Sequence, residues 1–161
     1  MAFENTSAAL RQVGGLVVSR LAQGLKENNA VASGELEESI TFRAYQQSSI
    51  LGLDISMIDY WQYVDEGRKA GRMPPVSKIR EWLTYPNVRE KLQQNSDREL
   101  SNLDSKAFAI AKKIGEKGTK GTDFATNVFN SRLITKEMPQ LIEDALGQDI
   151  EGILDKAFNI Q

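Results

Sequence analysis

"ITFRAYQQSSILGLDISM", residues 40–57, is where the chain changes its repeat, and that change decides the fold class. In ITFRAYQ (40–46) and again in ILGLDISM (50–57), apolar and polar residues alternate. Alternation sends successive side chains to opposite faces of an extended backbone. A polar QSS separates the two runs, so the expectation is an antiparallel β-hairpin with Ile40, Phe42 and Ala44 on one face. On both sides of the hairpin the repeat is helical. The fold class expected is therefore α+β: an N-terminal helix, a small antiparallel sheet (the hairpin) packed against two or three helices, and a long C-terminal helix.

Upstream, Ala9, Val13, Leu16, Val17, Leu21 and Leu25 recur at three- and four-residue spacing and predict a helix over 7–27. Gly14 and Gly15 weaken it, which points to close packing or a kink there. SGELEESI (33–40) reads as a turn capped by Ser33 and leading into the first strand. Downstream, Pro75 suits the first turn of a helix whose apolar face is Val76, Ile79, Trp82 and Leu83, and Pro86 ends it. The polar stretch 86–100 predicts a short helix at best, and 84–102 reads as an insertion. LDSKAFAIAKKIGEK (103–117) is a helix stopped by Gly118. A last helix starts near Thr135, because Pro139 is tolerated only near a first turn, and runs to about 158. Residues 132–161 then form a C-terminal helical extension of a single domain covering 1–161.

The chain has 161 residues, 40% hydrophobic, with a net charge of −2. It contains no Cys and no His, which removes disulfides, thiolate nucleophiles, the usual zinc ligands and imidazole acid–base chemistry. Carboxylate-only metal sites and paired-carboxylate hydrolysis stay open in principle; the expectation is no cofactor and no enzymatic activity, with a carboxylate-dependent enzyme as a rival reading. MAFENTSAAL lacks a basic start and an unbroken apolar core, and GGLVV is too short to cross a bilayer, so a soluble chain made in the cytoplasm is expected.

Two stretches carry candidate sites. YVDEGRKAGRMPP (63–75) sets acids, bases, glycines and a Pro-Pro pair beside Tyr60, Trp61 and Tyr63. It lacks the phosphate-loop spacing, and Asp65 and Glu66 offset Arg68, Lys69 and Arg72 as a nucleic-acid patch. Adjacent carboxylates on an extended segment point apart and cannot flank one glycosidic bond. An ordered loop on an aromatic anchor remains, either purely structural or a contact for another protein. KKIGEKGTKGTDF (112–124) clusters Lys112, Lys113, Lys117 and Lys120 at a helix end. That cluster reads as a solvated face, or as a site for phosphate or an acidic neighbour.

The C-terminal helix carries Glu137, Glu143, Asp144, Asp149, Glu151 and Asp155 with no base between 137 and 155. Acid there and base on 106–120 would let one copy dock on the next, or both would simply face solvent. A carboxylate set of Glu35, Glu37 and Glu38 has no supporting ligands nearby and reads as helix capping.

In order, the N-terminal helix, VASGELEESI (31–40), the hairpin, YWQYVDEGRKAGRMPP (60–75), a helix with Trp82 and AFAIAKKIGEKGTKGTDF (107–124) resemble the neck or tail-completion proteins of tailed bacteriophages. Such proteins are also labelled minor tail component or head–tail joining protein. Ser33-Gly34-Glu35-Leu36-Glu37-Glu38-Ser39-Ile40 matches the family's TGELRDSI-like segment. Tyr63-Val64-Asp65-Glu66-Gly67 stands at its EFG element, and Lys117-Gly118-Thr119 with Phe124 at its KGT…F element. The likeness spans roughly residues 8–130. Asp65-Glu66 replaces the usual Glu-Phe, and Asp123 stands where Pro would precede Phe124.

The resemblance implies a structural virion protein, not an enzyme, located in the neck or tail region. It would form a homo-oligomeric ring joining the DNA-filled head to the tail. Its partners would be other copies of itself, the connector or head-completion protein, and a tail tube or tail terminator protein. Genomic double-stranded DNA would pass through the lumen without sequence recognition, and no membrane is involved. The implied protein–protein interface is Tyr63, Asp65, Glu66, Gly67, Arg68, Lys69, Arg72, Met73 and Pro74, with Lys117 and Lys120. The alternative is a nucleic-acid-binding module using the basic cluster from Lys112 to Lys120.

Overall fold

The computed structural model describes residues 3–47, 50–94 and 102–158. The architecture is α+β. In chain order it runs α1 (Glu4–Glu27), α2 (Glu35–Ser39), β1 (Thr41–Gln47), β2 (Ile50–Ser56), α3 (Trp61–Asp65), β3 (Gly67–Arg68), α4 (Val76–Trp82), α5 (Pro86–Gln94), α6 (Leu103–Lys117), β4 (Thr119–Lys120), α7 (Phe124–Phe129), a π-helical turn (Leu133–Glu137) and α8 (Met138–Phe158). The hairpin lies where the alternation put it. Thr41 pairs with Ser56 and Gln47 with Ile50, antiparallel throughout. Two residues of the expected QSS turn, 48 and 49, lie outside the described residues.

By its backbone contacts the chain divides into two compact units. The first comprises residues 1–24, 39–58 and 124–161, and the second residues 25–38 and 59–123.

In the first unit the helical stripe of α1 is the core. Val13, Val17 and Leu21 are fully buried, with Ala9 and Leu10 beside them in sequence and Ile40, Phe124 and Ala125 also buried. Gly14 is explained by the hairpin: the Phe42 ring occupies the space where its Cβ would stand, whereas Gly15 faces open space. Close packing accounts for Gly14. On the other face of β1, the Arg43 guanidinium sits 5.5 Å from the centre of the Tyr45 ring and 3.3 Å from Asp54 across the ladder.

The N-terminus of α1 begins earlier than the periodicity suggested, at Glu4, and a residue far away in sequence accounts for it. The buried Asp149 carboxylate accepts from Asn5 N (3.1 Å), Asn5 Nδ2 (2.9 Å), Thr6 N (2.8 Å) and Thr6 Oγ1 (2.7 Å). The first turn of a helix has amide donors with no partner inside the helix and a positive dipole end. An anion from α8 satisfies both. Burial pushes the Asp149 carboxyl up, but the hydrogen bonds from Thr6 and Asn5 together outweigh it and hold it below the usual carboxylate range.

Pro139 is handled by a change of helical step. Met138 N donates to Leu133 O, the wide π spacing, just before the proline whose missing N–H would leave a gap in an ordinary ladder. In α8 itself Ala145 and Asp149 are buried, Leu141, Ile142 and Leu146 are half-buried, and every residue from Ile153 to Phe158 is exposed. The apolar face of α8 is covered only in its first half.

The second unit is built on α4, α5 and α6. Leu83, Val88 and Ala107 are buried together, and Val76, Ile79, Tyr85, Leu92, Leu103 and Ile110 pack around them. Arg80 of α4 pairs with Asp104 in the first turn of α6 at 2.7 Å, an exposed pair worth at most about 1 kcal/mol. Asn102 caps α6 by accepting from Ser105 N. The sequence reading of Pro86 as a terminator needs revision: α4 ends at Trp82 and Pro86 opens α5, where its missing N–H costs nothing. Val88 and Leu92, four residues apart, then bring the polar 86–94 stretch onto the core. Trp82, expected on the buried face of α4, is 37% exposed. Ser33 caps the short α2 as expected, its Oγ accepting from Glu35 N at 3.3 Å.

Candidate functional site

The two stretches singled out in the sequence meet within the second unit. β3 and β4 pair antiparallel, Gly67 opposite Lys120 and Arg68 opposite Thr119. The pairing is extended by Thr122 N to Val64 O (3.0 Å), Asp123 N to Asp65 O (2.9 Å) and the Thr122 hydroxyl to Val64 O (2.9 Å). Thr119 Oγ1 accepts from Arg68 N at 3.0 Å, and Gly71 N donates to Gly115 O at 2.7 Å. Residues 119–123 are thus one side of a short ladder.

The glycines make this approach possible. Gly118 closes α6 with φ 73° and ψ −165°, a conformation essentially confined to glycine. A Cβ there would overlap the Arg68 carbonyl oxygen, and one on Gly121 would overlap the Asp65 carbonyl oxygen. Gly67 has φ 81°, and its missing side chain leaves room for the Thr119 carbonyl. Backbone lies against backbone on both sides, so these positions are fixed by sterics and not by any chemistry of their own.

The expected interface residues divide by burial. Asp65 and Pro74 are buried, so they support the loop from within and do not form its outer surface. Gly67 is consumed by the ladder. Tyr63 was expected to hold the loop from behind, but it is 66% exposed; the half-buried Trp61 is the better anchor of α3. Arg68 is half-buried and its Nη2 donates to Arg72 O, bracing the 68–72 turn. Glu66, Lys69, Arg72, Met73, Lys117 and Lys120 are exposed. The ladder therefore gathers Arg68 and Lys69 next to Lys117 and Lys120, from stretches 51 residues apart.

Beside this ladder, Tyr60 sits against α2. Burial and the Glu35 carboxylate push its hydroxyl above the ordinary tyrosine value, and a hydrogen bond with Ser33 offsets part of that. Among the described residues there is no group of acids, His or Cys able to hold a metal ion, and no helix long and apolar enough to cross a membrane. What the arrangement offers is a surface where the cations Lys69, Arg72, Lys117 and Lys120 outnumber the acid Glu66, with an exposed Tyr and Met. Compared with family models, with curated proteins and with solved structures, the chain matches none.

Proposed function

We propose that this chain is a structural protein of a tailed-phage virion, a ring-forming neck or tail-completion protein that joins the DNA-filled head to the tail. The observation that carries the reading is the ladder between Gly67-Arg68 and Thr119-Lys120. Two of the three motifs on which the resemblance rests are partners in space, and each needs its glycines for the other to fit. Of their exposed side chains, Tyr63, Arg72 and Met73 are of types enriched in contacts with protein, and Lys69, Lys117 and Lys120 add charge around them.

Mass spectrometry of purified virions of the encoding phage tests the proposal. The polypeptide is expected in stoichiometric amount in the neck or tail fraction. Its absence from intact particles would refute the reading.

A second reading, nucleic-acid binding, is favoured by one observation: the ladder sets Arg68 and Lys69 beside Lys117 and Lys120. A phosphate-binding surface loses affinity steeply as salt rises. Titration of duplex DNA at two salt concentrations separates the readings, because the assembly protein is expected to show no DNA affinity worth titrating at either.

A further inference from the structure

We infer that the acidic, apolar end of α8 in one copy seats in a groove of the second unit of another copy, so that the chain associates head to tail. This deepens the assembly reading and rests on it for the choice of a second copy as partner.

The first half of the argument is α8. Ile150, Ile153, Leu154 and Phe158 are all exposed, Phe158 by 80%. Their spacing of three, four and eight residues puts them in one stripe along the helix. Glu151 and Asp155, both exposed, lie together along one edge of the stripe, and Lys156 lies beyond the other. From Met138 to Phe158 the helix holds five acids and one base, Lys156. An apolar stripe with an acidic edge suits a concave, apolar surface with cations along one side.

The second half is such a surface. A groove of about 340 Å³ in the second unit is lined by Val31, Val88, Leu92, Tyr63 and Trp82 among others. Among the described residues, Lys91 and Lys120 are the charged ones on its lining and no acid lines it. An amphipathic helix laid in an apolar groove is a recurring recognition mode, with aromatic walls as the usual energetic centre. Tyr63 and Lys120 also belong to the candidate site, so the groove continues the surface already described.

Charge selects the pairing. Two α8 stripes meeting each other would oppose Glu151 and Asp155 to their own copies, and two grooves would oppose lysines; like charges so placed disfavour both. Stripe to groove brings acid to base. The contact is between two different patches, so it propagates from copy to copy and closes into a ring or extends as a filament.

Sedimentation velocity of the full chain tests this, using two variants changed only at exposed positions. Ile150→Glu with Leu154→Glu removes the stripe, and Tyr63→Asp with Lys120→Glu spoils the groove; circular dichroism melts verify that both fold. The wild type is expected to gain mass with concentration, and each variant to associate at least 10-fold more weakly. A one-to-one mixture of the variants is expected to form a dimer and nothing larger, because one intact stripe meets one intact groove. A wild type monomeric up to about 1 mM, variants that associate like the wild type, or a mixture that stays monomeric would each overturn the inference. Self-association without virion membership would sink only the virion reading, and virion membership without self-association only this one.

Discussion

In the first unit a side chain closes a helix end; in the second, backbone closes on backbone. Asp149 reaches from α8 to the first turn of α1 and takes four hydrogen bonds there. Around β3 and β4 the comparable closure is made by carbonyls and amides pressed together where Gly67, Gly118 and Gly121 leave room. The first arrangement depends on a charge, so it answers to pH. The second depends on the absence of Cβ atoms, so it answers to volume and hardly to pH.

The largest effect expected is from Gly118→Ala. The conformation alone costs about 1–3 kcal/mol in a residue with a side chain, and the overlap with the Arg68 carbonyl must also be relieved. A total above about 3 kcal/mol is expected. Hydrogen exchange should rise at Arg68, Gly71 and Thr122 while the α1 amides keep their protection. Equal loss in both units would break the comparison. Gly14→Ala comes next. The Phe42 ring must move off α1, and overpacking of this sort costs about 1–3 kcal/mol; a denaturant titration reads it.

Asp149→Asn should lower the first unit's melting temperature by roughly 2–8 °C at pH 7. Its pH dependence sharpens the contrast. The folded carboxyl titrates below its unfolded value of about 3.9, so its contribution is complete above that pH. It is lost as pH falls through the lower, folded value. The gap between wild type and Asp149→Asn should therefore shrink below about pH 4, whereas the Gly118→Ala deficit should not change with protonation of this group. A gap that stays constant to pH 2 would show that Asp149 acts by packing alone.

The smallest effect on folding is expected from Lys69→Glu with Arg72→Glu. Both side chains are exposed, and surface substitutions usually stay within about 0.5 kcal/mol. This pair is preferable to changing Arg68, whose guanidinium braces the turn through Arg72 O.

What the sequence made readable follows from periodicity. The hairpin, the stripe of α1 and the span of α6 with its glycine stop each carry a repeat or a stop residue within a short window. The β3–β4 ladder carries neither. Two-residue strands separated by a core of three helices have no alternation to detect, and the only trace was the density of glycines in both stretches. Asp149 looked like one acid among several, because its role is set by where α8 meets α1. Tyr63 looked like an anchor because aromatics usually are, yet α3 turns it outward. Val88 was hidden in a polar stretch that owes its helix to Pro86 at the first position.

The central claim is that the glycine-bounded ladder displays an assembly surface. Complementation of a phage lacking this gene by the Lys69→Glu/Arg72→Glu variant tests it most directly, read by electron microscopy of the lysate and by plaque titre. A folded variant that leaves filled heads and separate tails, with the titre lost, is the predicted result. Joined particles at the wild-type titre would contradict the account.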